Sequence, residues 1–293
     1  MQLTLNAPAS GYLQQHSGLV VLAPPDAIGV ENFSQVEEDP LAHRNLFESM
    51  QRFRGRIALE EGAIHRHQLT SDGRHAMNID RLAWHLVLLN HGTVAGAMRY
   101  VHYPNTISYG DLLVRQTWLA HTPEWGFDVQ MAVESTLSEA RQREVHFGEP
   151  GGWVLSSALR HGRDAIRLAL GCFALAQRLG GAVGICSATH KNHSAKMLRR
   201  LGGERLGTAT RPLPVFHEPQ YDCDMELLRF DSSVVTPSYQ GFVDELAWSL
   251  ANSVPVLTDA VDRVSVTKTG LRNLSVAINH QQSVRQEQRV PAT

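Results

Sequence analysis

The most regular apolar spacing in the chain lies between residues 149 and 203. Ala165, Leu168, Ala169, Cys172, Phe173, Ala176 and Leu179 recur at three- and four-residue intervals. That spacing predicts a helix from Asp164, and Gly180-Gly181 stops it where a C-cap belongs. Ahead of it, 152–157 reads as a strand entered through the flexible corner Pro150-Gly151-Gly152. The polar turn Arg160-His161-Gly162-Arg163 joins strand to helix. Ala182-Val183-Gly184-Ile185-Cys186-Ser187-Ala188 is a short apolar strand. Asn192-His193-Ser194 then offers a cap for a helix carrying Ala195, Leu198 and Leu201, closed by Gly202-Gly203. The block is strand, helix, strand, helix.

Similar patterns organise the flanks. Leu46, Phe47, Met50 and Phe53 predict a helix over about 42–53, with Arg52, Arg54 and Arg56 read as a solvated basic end. Residues 84–89 and 93–101 are apolar runs around Asn90-His91-Gly92, which is hairpin-turn chemistry. Val129, Ala132, Val133, Leu137 and Ala140 line one face of a helix over 128–144, and Phe242, Val243, Leu246, Ala247 and Leu250 line one over 239–252. Alternation of Cys223, Met225 and Leu227 predicts a strand over 221–231. Residues 1–40 read as an irregular segment, apart from a short strand signal at 18–23 stopped by Pro24-Pro25. From residue 259 the apolar pattern thins, and 259–293 reads as a flexible tail. The expected organisation is one domain over 41–258, including the 239–252 helix.

Charge and composition narrow the classes. With 43% apolar and 19% charged residues and a formal net charge of −2, the 293-residue chain carries no global basic field for nucleic acid. No run approaches the ~20 consecutive apolar residues of a membrane span. Three cysteines, Cys172, Cys186 and Cys223, sit inside apolar patterns and read as buried free thiols of a reducing compartment, so the expected location is cytoplasmic. His65-x-His67 and His190-x-x-His193 have spacings that metal sites use, but no further ligands complete them, and no metal is expected.

The candidate chemistry lies around the central block. A helix N-terminus opening on arginines suits a phosphate or pyrophosphate. This strand, basic turn and Asn-led helix resemble the acyl-donor half of the GNAT (N-acyltransferase) superfamily. Arg160 and Ala165 match the first and last positions of the Arg/Gln-x-x-Gly-x-Gly/Ala turn that holds the pyrophosphate of coenzyme A there. The chain departs from the pattern at Arg163, where the family has glycine, and in lacking the tyrosine that often protonates the departing thiolate. Over about 44–205, Arg52, the Asp80-led strand, Gly96-x-x-Arg99 and Glu149 also resemble acyl-homoserine-lactone synthases and long-chain N-acyl amino acid synthases.

The resemblance implies an α/β fold of GNAT type, a mixed twisted sheet with helices on both faces. Its central parallel strands, 152–157 and 182–188, would splay to admit a pantetheine arm. It implies N-acyl transfer from acyl-CoA or acyl-carrier protein to the amine of a small amino-acid-like acceptor, with no tightly bound cofactor. Leu155, Ser156, Arg160, His161, Gly162, Arg163, Asp164, Ala165 and Asn192 would hold the donor. Arg52, Asp80, Arg99 and Trp153 would face the acceptor or acyl group. Arg99 on an apolar strand needs a partner, either Asp80 or a substrate carboxylate.

Glu149 is the candidate general base, against a reading as a surface carboxylate beside the Pro-Gly-Gly corner. His190 is a second candidate, and Ser194 the hydroxyl that would replace the missing tyrosine. Two other functions fit the same residues: a GNAT-fold acyl-CoA-binding module without turnover, and a protein N-acetyltransferase.

Overall fold

The computed structural model describes residues 17–160 and 162–259. His161 and the tail expected beyond Asp259 lie outside the described residues, as does the side chain of Asn192. Among the described residues ten strands form one mixed sheet: β1 (Gly18–Leu22), β2 (Val36–Glu38), β3 (Ala83–Asn90), β4 (Thr93–Tyr103), β5 (His146–Leu155), β6 (Ala182–Thr189), β7 (Glu204–Arg205), β8 (Phe216–Glu218), β9 (Cys223–Asp231) and β10 (Val256–Thr258). Their order is β2-β10-β1-β3-β4-β5-β6-β9-β7, with β8 paired to β9. The helices are α1 (Pro40–Glu60), α2 (Gly126–Gln142), α3 (Arg163–Arg178), α4 (Ser194–Leu201) and α5 (Pro237–Asn252).

The strand period explains how helices come to cover both faces. On β4, Met98 and Tyr100 join a core with Leu168, Cys172 and Phe173 of α3, Leu198 of α4 and Val243, Leu246 and Leu250 of α5. The alternate residues face the other way. Ala97 meets Leu46, Met50 and Phe53 of α1, joined by Val94 because the register shift against Leu88 and Leu89 changes the phase there, while Val101 and Tyr103 meet Val129, Val133 and Leu137 of α2. The sheet is thus an α/β layer with α3, α4 and α5 on one side and α1 and α2 on the other, as the resemblance led one to expect.

Residues 17–40 differ from the irregular segment read in the sequence. β1 pairs antiparallel with β3 and parallel with β10, and β10 pairs with β2, so both ends of the described chain extend the sheet. Each of these strands is five residues or fewer. β1 is the short strand signal at 18–23; β2 and β10, at three residues each, bury too little alone to be recognised, and the three together close one edge.

Two features of β5 place the site. The expected corner at Pro150-Gly151-Gly152 is a bulge inside a longer strand: pairing with β4 passes from Arg99↔Gly151 to Ala97↔Val154, and Gly152 turns with φ of 60°. β5 then runs parallel to β6 through only His146↔Ala182, Phe147↔Val183 and Gly148↔Gly184. Beyond that rung the two strands part, because β5 stays on β4 to Leu155 while β6 stays on β9 to Thr189. The rung itself needs glycine: a Cβ on Gly184 would lie 2.1 Å from the Gly148 carbonyl oxygen.

Candidate active site

The fork between β5 and β6 opens into a cleft of about 700 Å³ that passes through the sheet from the α4 side to the C-terminal end of α1. One side is largely main chain. It comprises the free ends of β5 and β6, Arg160, the first turn of α3 and the start of α4. Leu155, Arg160, Ala165 and Ser194 line it. Gly162 is the N-cap of α3, and among the described residues no side chain caps the helix. Arg163 is exposed and Asp164 half-buried, and Ser156 donates its N–H to the Ala95 carbonyl.

Arg160 does not stand free: its guanidinium pairs with the Glu61 carboxylate just beyond α1. Lys191, from the turn after β6, donates from Nζ to the Glu61 carbonyl oxygen at 2.6 Å. Asn192 was expected to cap α4; the N-cap is His193, in the left-handed region with φ of 60°, and it makes no capping side-chain bond.

The opposite side is built from buried charge. Asp80, on the turn before β3, accepts a two-pronged bond from Arg54, with Nη1 to Oδ1 at 2.9 Å and Nη2 to Oδ2. Gln51 Nε2 at 3.0 Å, the Met77 N–H at 3.1 Å and Arg99 Nη1 at 3.5 Å donate to the same carboxylate. Burial works to raise the pKa of Asp80, but the Arg54 guanidinium outweighs it and holds the carboxyl well below the ordinary range. His75 lines the cleft beside them, its pKa lowered to about 4 by burial and then by the Arg54 charge. Asp80 is therefore the partner of Arg99 that the sequence required. Arg99 Nε remains buried with no hydrogen-bond partner among the described residues.

Glu149 sits between these two sides. It is buried, at 4% exposure, so the reading as a surface carboxylate is overturned. Oε2 accepts from Tyr103 Oη at 2.9 Å and the Leu113 N–H at 2.8 Å, and Oε1 accepts from the Val114 N–H at 2.8 Å. Burial pushes its pKa up, against the lowering effect of those backbone donors. Trp153, within the bulge, also lines the cleft, and its indole Nε1 is buried without a partner among the described residues.

Two expectations for site residues do not hold. Arg52 points away, pairing with Glu48 at 2.9 Å and Asp72 at 3.2 Å; the cleft arginine of α1 is Arg54. The helix period could have identified it, since Leu46, Met50, Arg54 and Ile57 share one buried stripe. His190 does not line the cleft; it is exposed, 3.9 Å from the buried carboxylate of Glu226, which Arg199 and Arg205 also approach. His75 and Glu61 were missed altogether, both lying in segments with no apolar period.

Behind the fork, towards α3, an apolar cavity of about 40 Å³ is lined by Tyr100, Cys172, Phe173 and Phe230, and shares Met98, Pro150, Cys186 and Leu198 with the cleft. Among the described residues, no group of three or more His, Cys, Asp or Glu side chains is arranged to hold a metal ion, and no helix is long and apolar enough to cross a membrane.

Neither a protein-family profile nor a curated protein sequence matches the chain. Solved structures do. BjaI, a CoA-dependent acyl-homoserine lactone synthase solved with SAM and isopentyl-CoA, superposes with a TM-score of 0.50 at 14% identity, covering 90% of this chain and all of its own. FeeM, an N-acyl amino acid synthase from uncultured soil microbes, gives 0.44 at 13% identity, covering 64% of this chain and 86% of its own. An acyl-CoA N-acyltransferase from Pseudomonas aeruginosa gives 0.37 at 14% identity, covering 64% and 90%. The chain shares the fold of BjaI over 90% of its length.

Proposed function

We propose that the chain is an N-acyltransferase, moving an acyl group from a thioester of CoA or acyl-carrier protein to the amine of a small amino-acid-like acceptor. The observation that carries this reading is the open fork between β5 and β6 with a buried carboxylate, Glu149, one residue past its closed end. An extended thioester arm laid in the fork would meet the unpaired edges of both strands, with its phosphates towards Arg160 and the start of α3.

The acceptor amine attacks the thioester carbonyl carbon, forming the C–N bond while its proton passes to Glu149, directly or through one water. The tetrahedral oxyanion then collapses, the C–S bond breaks, and the thiolate leaves; Ser194, a cleft hydroxyl at the start of α4, would protonate it. Three donors fill three of the roughly four lone-pair sites of the Glu149 carboxylate, which leaves one on Oε1 for a proton. Its raised pKa suits that task. Arg99, whose Nη1 reaches the Met77 sulfur at 3.4 Å and Asp80 at 3.5 Å and whose Nε has no partner among the described residues, has donor capacity left for an acceptor carboxylate. The adjoining apolar cavity supports an acyl group longer than acetyl.

The test is thiol release from acyl-CoA thioesters of graded chain length, each incubated with amino acids and with S-adenosylmethionine, with amide products identified by mass spectrometry. Amine-dependent thiol release supports the reading. CoA binding without thiol release on any amine would replace it with a non-catalytic binding module.

A further inference from the structure

The donor side of the cleft already holds an anion of the protein's own. Arg160 follows β5 and Lys191 follows β6, so the two cations stand at the outer ends of the strands that form the fork. Both reach the same residue across the opening: Arg160 pairs with the Glu61 carboxylate and Lys191 donates to the Glu61 carbonyl oxygen at 2.6 Å. Glu61 is the C-cap of α1, and all three residues line the cleft.

As a stability device the arrangement is weak. The two side chains of the ion pair are 31% and 25% exposed, and pairs in contact with water contribute little to folding. As an occupant of a binding site it is well placed, because a carboxylate on Arg160 sits where a phosphate oxygen would compete for the same guanidinium.

We infer that Glu61 is an internal competitor for the donor's phosphate groups, displaced when a phosphorylated donor binds. This rests on the thioester-donor reading given above. A donor must then bring enough negative charge to exchange for the carboxylate. A pyrophosphate or phosphate monoester does so and a neutral thioester does not, so Glu61 selects for phosphorylated carriers. Displacement leaves the Lys191 bond to the Glu61 main-chain carbonyl in place, so the end of α1 stays attached while the carboxylate moves aside.

Calorimetry with CoA as the probe tests this on the full chain, in wild type, Glu61→Gln, Arg160→Ala and the double variant. Glu61→Gln is expected to bind CoA about tenfold more tightly, within the usual range of coupling between sites. Arg160→Ala is expected to bind more weakly, and adding Glu61→Gln to it should restore nothing, because the competitor acts through Arg160. Equal CoA affinity in wild type and Glu61→Gln overturns the inference and leaves the donor reading standing. So does an equal gain from Glu61→Gln with and without Arg160. Absence of CoA binding in all four folded proteins overturns both. A second substitution, Glu61→Asp, keeps the charge on a shorter arm and should fall between wild type and Glu61→Gln.

Discussion

The two sides of the cleft are made by different physics. The side proposed for the donor is a backbone object: two strands that stop pairing, a helix with no side-chain cap among the described residues, and turns that need few particular side chains. The acceptor side is a side-chain object, in which Arg54, Asp80, Gln51 and Arg99 meet from α1, a short turn and β4, and most of that charge is buried. A backbone site tolerates substitution because the ladder and helix positions persist whatever the side chains are. A buried charge cluster does not, since removing one member strands the rest in a medium that solvates them poorly. The acceptor side should therefore fail first in stability, and the donor side only in affinity.

Asp80→Asn is the strongest test of that contrast. It leaves two buried guanidinium groups with one neutral partner, and should cost about 3–5 kcal/mol in urea unfolding. The pH profile follows in sign. A carboxyl held below its ordinary value contributes its stabilisation above about pH 4, where the unfolded chain's Asp would also be ionised, and loses it progressively as the pH falls below that. Wild type should lose stability over that acid range and Asp80→Asn much less. Parallel acid profiles would mean that the cluster is not what stabilises this side.

Glu149→Gln sharpens the boundary between the two. If Glu149 is the base, kcat should drop by roughly 10²–10⁴ with donor affinity little changed, and rising pH should recover part of the rate as free amine accumulates. Glutamine is not innocent here. It supplies one acceptor oxygen where three donors converge, so at least one loses its partner, at about 1–3 kcal/mol of stability. Rate must be read on protein shown to be folded at the assay temperature; wild-type kcat in such protein would remove Glu149 from the chemistry. The smallest effect is expected for Arg160→Ala combined with Arg163→Ala. CoA binding should weaken about tenfold, equivalent to about 1.4 kcal/mol, with an unchanged melting temperature. A large fall in melting temperature would make this side as dependent on side chains as the other.

The same contrast explains what could be read from the sequence. The β5-α3-β6-α4 block was legible because each element carries its own period and its own glycine stops, and the hairpin was legible from Asn90-His91-Gly92, where His91 and Gly92 take φ of 47° and 73°. Arg99 was legible as a charge that needed a partner. Arg52 was mistaken for Arg54 because a two-residue shift on a helix turns a side chain from the core to solvent, and three arginines at alternate positions give no cue beyond that phase. Glu149 was placed at the mouth of its strand because Pro150-Gly151-Gly152 has the composition of a corner; pairing with β4 on both sides absorbs it as a bulge. His75 and Glu61 owe their positions to how separate elements pack, which no local pattern encodes.

The Gly148–Gly184 rung has one more consequence. A molecule sliding into the fork travels until it meets the last hydrogen-bonded pair, and no side chain on either residue softens that end point. The rung is a depth gauge, and its zero mark lies one residue from Glu149. Variation at the wide end, in carrier or headgroup, leaves the reading at the tip unchanged. An added or deleted residue between Phe147 and Glu149 would shift the gauge against the carboxylate by a whole strand step, about 3.3 Å, and no substitution elsewhere in the cleft could restore the scale.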